Sequence, residues 1–352
     1  MIKGATEYYR EIKGNIQSVV GEDGSFNFGT YKSPIPNINM LSAKNPLGFK
    51  ATKGFNNMRL KEWEAFQLGD DNLFIFGAVY DAKISAIICL EIYNRINKKS
   101  ISIQKFVPSS KTKIGVGMMD SITVYETAGF TMKITNDLRN DKIKVYVDID
   151  KSNKWPKVNL DITGYHIAEP IVVCLPLGKN RAIYSHKSLM PMEGHFSMED
   201  YNVDFNQEHS HLIVDDHKGY YPYRLKYDWV TGWGKDANGN IVCFNLTDNQ
   251  VIDKENFNEN CLWLNGKMYP LPPIKVERKY DKEEVWHIKD EYNMVDLYFY
   301  PETKKEIKFN YLIVYSDYEA PIGGYDGYIN IDGKRIDMEN CFGMGEKKIY
   351  RI

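Results

Sequence analysis

The sequence lacks most features that announce a common biochemical role. No apolar run approaches the roughly 18–20 residues that cross a bilayer as a helix, so no membrane insertion is expected. The first residues, Met1 to Gln17, hold Glu7, Arg10, Glu11 and Lys13 and no apolar stretch of the kind found in secretory signals. A cytoplasmic protein is therefore expected. Neither charge sign dominates: 45 basic residues stand against 47 acidic ones, a net charge of −2. Nucleic acid and anionic membranes select for an excess of Lys and Arg, so neither is expected as a partner. Cysteine is scarce, with five residues in all, and no pair is spaced Cys-x-x-Cys. Zinc knuckles and thioredoxin-like redox pairs are thereby excluded, and the thiols read as small core residues. No Gly-x-Ser-x-Gly elbow occurs, and Ser185 beside His186 does not by itself make a triad. The pieces Gly115-Val-Gly117 and Gly343-Met-Gly345 lack the strand–loop–helix setting of a phosphate cradle, so no nucleotide and no other cofactor is expected.

Long amphipathic helical stretches are also nearly missing. What is present is alternation. Ile143, Val145, Val147 and Ile149 alternate with Lys142, Lys144, Tyr146 and Asp148, and upstream Phe130, Met132 and Ile134 alternate with Thr131, Lys133 and Thr135. Successive strand residues point to opposite faces, so each run has one apolar and one wet face. Asp137 to Asp141 supplies a polar turn, which predicts a hairpin. Further runs predict strands at Leu73–Tyr80, Ile84–Tyr93, Ile101–Val107, Ile122–Glu126, Asn240–Leu246, Lys275–Tyr280, Val285–Lys289, Val295–Tyr300, Phe309–Ser316 and Tyr328–Ile331. Asn238-Gly239, Asn265-Gly266 and Asp332-Gly333 fall between such runs, where a type I′ turn asks for positive φ at both central residues. Many short strands without alternating helices exclude Rossmann and TIM-barrel folds and leave sandwiches, propellers and up-and-down barrels.

The length fits about two domains. The segment Trp63 to Asp81 resembles Trp229 to Asp248, and Cys89-Leu90 is echoed by Cys261-Leu262. These echoes lie roughly 170 residues apart, close to half the chain, as expected for two similar halves in tandem. Each half has room for about eight strands, the size of a lipocalin-like barrel. The predicted fold is all-β, two tandem lipocalin-like antiparallel barrels packed together with few helices. With the joint in the polar stretch Glu193 to Asn206, the expected domains are residues 1–195 and 196–352.

Six of the seven histidines lie between positions 166 and 217. The densest polar and aromatic stretch runs from His209 to Gly234, and Ile183 to His195 precedes it. A plain structural barrel does not require that concentration, whereas residues at a barrel mouth or in its lumen would account for it. Two chemistries fit. In an extended strand His209, His211, Asp215 and His217 share a face. The first and last of them are roughly 26 Å apart, so a single metal ion cannot hold all four. His209 and His211 remain as a pair, and no metal site is assigned. The second chemistry is acid–base work by His217, histidine being the side-chain type whose ordinary pKa lies nearest neutrality, with Asp215 on the same face and His186 as the complementary group on a facing wall. The plainer alternative makes Asp215 to Gly219 a charged turn. Glu193, Asp216, Tyr223, Arg224, Asp228, Trp229 and Trp233 are the candidate substrate-binding groups, the rings as cavity lining and the charges for orientation.

The stretches Tyr184-Ser-His-Lys187, Asp215-Asp-His-Lys-Gly-Tyr-Tyr-Pro222, Tyr227-Asp-Trp-Val-Thr-Gly-Trp-Gly234 and Phe342-Gly-Met-Gly-Glu346 resemble the bacterial and fungal domain-of-unknown-function family 2804. The resemblance covers most of the chain and is strongest over residues 181–248. That family is similar to the tandem lipocalin-like proteins of the AttH type, with the carotenoid hydratases, tocopherol cyclases and fungal Diels–Alderases. The resemblance implies two barrels. It supplies no mechanism, because no catalytic motif of those enzymes aligns residue by residue here.

The expectation is a cofactor-independent enzyme acting on a largely apolar small molecule by proton transfer: a hydratase or dehydratase, an isomerase or a cyclase. The alternative is a non-catalytic carrier of a hydrophobic ligand, which needs the aromatic lining but no acid–base pair.

Overall fold

A computed structural model describes residues 8–278, 285–310 and 315–351. It is 60% strand and 5% helix, arranged as two antiparallel barrel-like sheets, one nearly closed and one a half-barrel. The expected all-β tandem architecture is what forms. Among the described residues no helix is long and apolar enough to cross a membrane.

Across the first sheet the path runs Lys99–Pro108, Ser85–Asn94, Leu73–Asp81, Leu60–Gly69, His211–Tyr220, Arg181–Met198, Val158–Tyr165, Lys142–Ile149, Phe130–Asp137, Ser121–Thr127 and Thr112–Lys113. Sequence neighbours are mostly neighbours in space, and the strand His211–Tyr220 comes back to pair with Leu60–Gly69. The second sheet follows the same rule: Lys267–Pro270, Cys261–Leu264, Ile241–Asp248, Arg224–Lys235, Phe342–Arg351, Ile322–Ile331, Val295–Pro301, Trp286–Asp290 and Ile274–Arg278. Each path starts with a four-strand meander whose first strand pairs with the last strand of its sheet. The sequence echoes occupy matching places, Trp63 and Trp229 in the first strand of each meander and Cys89 and Cys261 in the third.

Compact packing divides the chain into two units. The N-terminal unit is Gly14–Cys174 with Lys179–Tyr220, and the C-terminal unit is Tyr221–Ile352 with Met1–Lys13 and Leu175–Gly178. The division expected after residue 195 falls instead at Tyr220. The reason is hydrogen bonding: His211–Tyr220 is held on both edges, by Leu60–Gly69 and by Arg181–Met198, and so belongs to the first sheet. The polar stretch read as a joint is a hairpin, in which the end of Arg181–Met198 pairs with Tyr201–Phe205.

Local chemistry explains the elements. In Lys142–Ile149 all four apolar residues are buried and pack with Met132, Ile134, Leu160 and Ile162 in the first core. The predicted hairpin forms, with Ile134 opposite Val145. Asn265-Gly266 and Asp332-Gly333 have positive φ at both residues, as type I′ turns need. Asn238-Gly239 departs from that expectation, since only Gly239 is left-handed; Asp236 carboxylate and carbonyl oxygens accept the amides of Asn238, Gly239 and Asn240 in a longer loop. The other predicted strands appear within a few residues of their expected ends, with three exceptions. Tyr328–Ile331 is the end of a longer strand, Ile322–Ile331. Lys275–Tyr280 ends at Arg278, and residues 279–280 lie outside the described residues. Phe309–Ser316 includes residues 311–314, also outside them; on either side Glu306–Asn310 and Tyr315–Glu319 pair with each other.

Candidate active site

The strand His211–Tyr220 is the middle of three, and its register decides which side chains meet. His217 is opposite Ser185 and Trp63, and Asp215 is opposite Lys187 and Ala65. Asp216 is opposite His186 and Glu64. Directly paired residues share a face and adjacent ones do not. The three strands therefore carry two separate polar groups, back to back. The stretch Asp215 to Gly219 is strand throughout, not a charged turn.

On one face Asp215 and His217 come together as expected, with Asp215 Oδ1 3.7 Å from His217 Nδ1. Two groups that sequence reasoning did not assign complete the cluster. Lys187 Nζ lies 3.3 Å from Asp215 Oδ1 and donates to Ser185 Oγ at 2.7 Å. Ser185 Oγ in turn donates to Asp215 Oδ1 at 3.4 Å. The Trp63 indole stacks on the imidazole of His217, with centroids 4.1 Å apart and planes 18° apart, and Tyr80 flanks the indole at 5.9 Å. Lys187, Ser185 and His217 are buried, whereas Asp215, Trp63 and Tyr80 are part-exposed, so the cluster is reached from its carboxylate and aromatic side. Burial by itself would raise the Asp215 carboxyl. The Lys187 ammonium and the His217 contact outweigh it and hold the group well below the usual carboxylate range. Asp215 is thus a fixed negative charge beside an imidazole.

The other face points into the first barrel, along with the core residues Phe66, Leu68, Leu212 and Val214. Here the row Glu64, Asp216, His186 crosses three strands, with Lys218 and Tyr184 one step along. Lys218 Nζ donates to Asp216, and Thr123 Oγ1 donates to Glu64. His186 Nε2 is 2.9 Å from Ser188 Oγ, and its ring is 6.3 Å from that of His166. Burial, reinforced by His166, pushes the His186 imidazole down to about 3, so it stays neutral. His186 consequently does not face His217 across a pocket. The same parity that separates Asp215 from Asp216 separates these two histidines.

The remaining candidates scatter. Glu193 is exposed and accepts from Tyr165 Oη and from Gln207 Nε2. Asp216 is in the barrel interior. Tyr223 and Arg224 are exposed at the start of Arg224–Lys235. Asp228 is buried against Arg278 at 2.7 Å, and that guanidinium covers the Trp286 ring. Trp229 donates from Nε1 to Asn245 Oδ1 at 2.7 Å, and Trp233 is buried on the same face of its strand. These last five belong to the C-terminal unit. His209 is in a turn beside Glu208, and His211 is buried at the start of its strand. Among the described residues no three His, Cys, Asp or Glu side chains converge as a metal site.

A family model described as a domain of unknown function, DUF2804, matches residues 9–351. The chain belongs to that family. No curated protein matches it at a significant level. Among solved structures it is similar to CghA, at 10% identity and a TM-score of 0.53, covering 83% of this chain and 88% of that one. The same protein solved with Sch210972 gives 9% identity and the same TM-score and coverage. Kievitone hydratase from Nectria haematococca is similar at 12% identity and a TM-score of 0.48, over 82% and 88% of the two chains. At such identities the likeness to CghA speaks for the fold alone.

Proposed function

We propose that this chain is an enzyme performing acid–base chemistry on a largely apolar small molecule, without a cofactor, at the face formed by Trp63, Ser185, Lys187, Asp215 and His217. The observation that carries the reading is a histidine stacked on a tryptophan and set beside a carboxylate that stays ionised. His217 exchanges the proton with substrate. Asp215 stabilises the imidazolium that forms, and the indole face adds a cation–π contribution. Lys187 and Ser185 hold Asp215 in place and do not take the proton themselves. Trp63 and Tyr80 offer ring surface to an apolar substrate. Hydration or dehydration, isomerisation and cyclisation all need this kind of proton movement and no redox group.

Native mass spectrometry of protein purified from its own host supplies a co-purified small molecule, which is then incubated with protein in D2O. Proton transfer at carbon adds deuterium to the recovered compound, and His217→Gln abolishes the gain. A compound bound in stoichiometric amount but returned unlabelled and unchanged by the unaltered protein would make the chain a carrier instead.

A further inference from the structure

The interior row of the first barrel is unused by that chemistry, and it is unfinished as a hydrogen-bonding network. On this patch five side chains that are at most 1% exposed each leave a polar atom without a partner: Glu64 Oε1, Asp216 Oδ2, Tyr184 Oη, Asn136 Oδ1 and His186 Nδ1. Buried polar atoms are satisfied in the great majority of cases, so five on one patch call for an occupant. The register puts Glu64, Asp216 and Tyr184 on one face of adjoining strands. Thr123 and Asn136 meet them from the strands Ser121–Thr127 and Phe130–Asp137, where Thr123 bonds Glu64.

Charge says what kind of occupant. On this interior row the fully buried charged groups are Glu64 and Asp216 against one cation, Lys218. His186 is neutral, and Thr123 and Asn136 carry no charge. Glu62, at the more exposed edge, is matched by its own ion pair with Lys83. Asp215 acts on Asp216 from the other face and is itself matched by Lys187. One negative charge is left over in the interior, and burying an uncompensated charge is costly. A proton on Glu64 removes it: burial and the nearby Asp216 push that carboxyl up to about 7.

We infer that this row is a binding site for a small monovalent cation, an alkali ion or an ammonium group, which replaces the proton on Glu64. Four of the five free atoms are oxygens, as hard cations prefer, and the single uncompensated negative charge matches a monovalent ion. Binding releases one proton, so it tightens by up to about tenfold per pH unit below the point where Glu64 ionises unaided.

The test is thermal unfolding of the whole chain at constant ionic strength in the chlorides of sodium, potassium, ammonium and methylammonium, against choline, a bulky quaternary cation that donates no N–H hydrogen bond. The expected result is a Tm at least about 3 °C higher in one or more small cations than in choline, with the gap widening from about pH 6 to about pH 8. A gain in sodium or potassium identifies an alkali ion, and a gain confined to the nitrogen cations identifies an amine. Glu64→Gln, which mimics the protonated carboxyl, abolishes the gap, and Tyr184→Phe, which keeps the ring, reduces it. Equal Tm in all five salts, as for a site filled only by water, overturns the proposal. So does a gap that persists in Glu64→Gln or narrows as pH rises.

Discussion

The two faces of the strand His211–Tyr220 use the same residue types to opposite ends. On one, a histidine sits against a carboxylate that Lys187 keeps ionised, under a part-exposed tryptophan. On the other, a histidine and a carboxylate are paired in register but fully buried, and burial drives the histidine to neutrality and the Asp216 carboxyl upward. The difference is access and the placement of the cation, not composition. A histidine-rich segment therefore says little about chemistry until its register is known.

The largest effect expected on this comparison comes from removing the interior cation. Lys218→Met leaves Glu64 and Asp216 buried without compensation, and about 3–5 kcal/mol of stability is lost. Urea unfolding near pH 8 measures it. The loss shrinks toward about pH 6, because carboxyls with raised pKa take up protons in place of the lysine. An unchanged midpoint would mean that the two carboxyls are not paired with Lys218 in the interior.

His186 gives the next effect. Its folded pKa of about 3 lies below the ordinary 6.5, so the unfolded chain binds the proton first. The stability due to neutral His186 is complete above about pH 6.5 and falls as pH drops toward 3, by about 2 kcal/mol at pH 5. His186→Gln removes that part of the acid sensitivity, which unfolding curves at the two pH values detect. A smaller effect is expected on the other face: Trp63→Leu gives up the ring stack at a cost of about 1 kcal/mol. It weakens binding of an apolar ligand more than it weakens the fold.

Much of the fold was legible, because alternation and turn chemistry act locally. The run Lys142–Ile149 declares both its strand and its buried face, and Asn265-Gly266 declares its turn. The tandem arrangement was readable from Trp63 and Trp229. The domain boundary was not, since nothing in Tyr201–Phe205 or His211–Tyr220 states which strands will accept their hydrogen bonds. In the site, parity along one strand correctly grouped Asp215 with His217. Relating His186 to them needed the register between two strands about 30 residues apart, which the chain does not encode locally. Glu64 had a readable signal, a charge set among Trp63, Ala65 and Phe66, whereas Lys187, between Ser185-His186 and Ser188, had none.

The most direct test compares the two faces by one readout. His217→Gln and His186→Gln are each incubated in D2O with the compound that co-purifies with the protein, and deuterium in the recovered product is counted by mass spectrometry. The expected outcome is loss of labelling by about 100-fold or more in His217→Gln, the usual weight of a general acid–base group, with near-normal labelling in His186→Gln. Full labelling with His217→Gln, or its loss only with His186→Gln, would place the chemistry on the wrong side of the sheet and contradict the account.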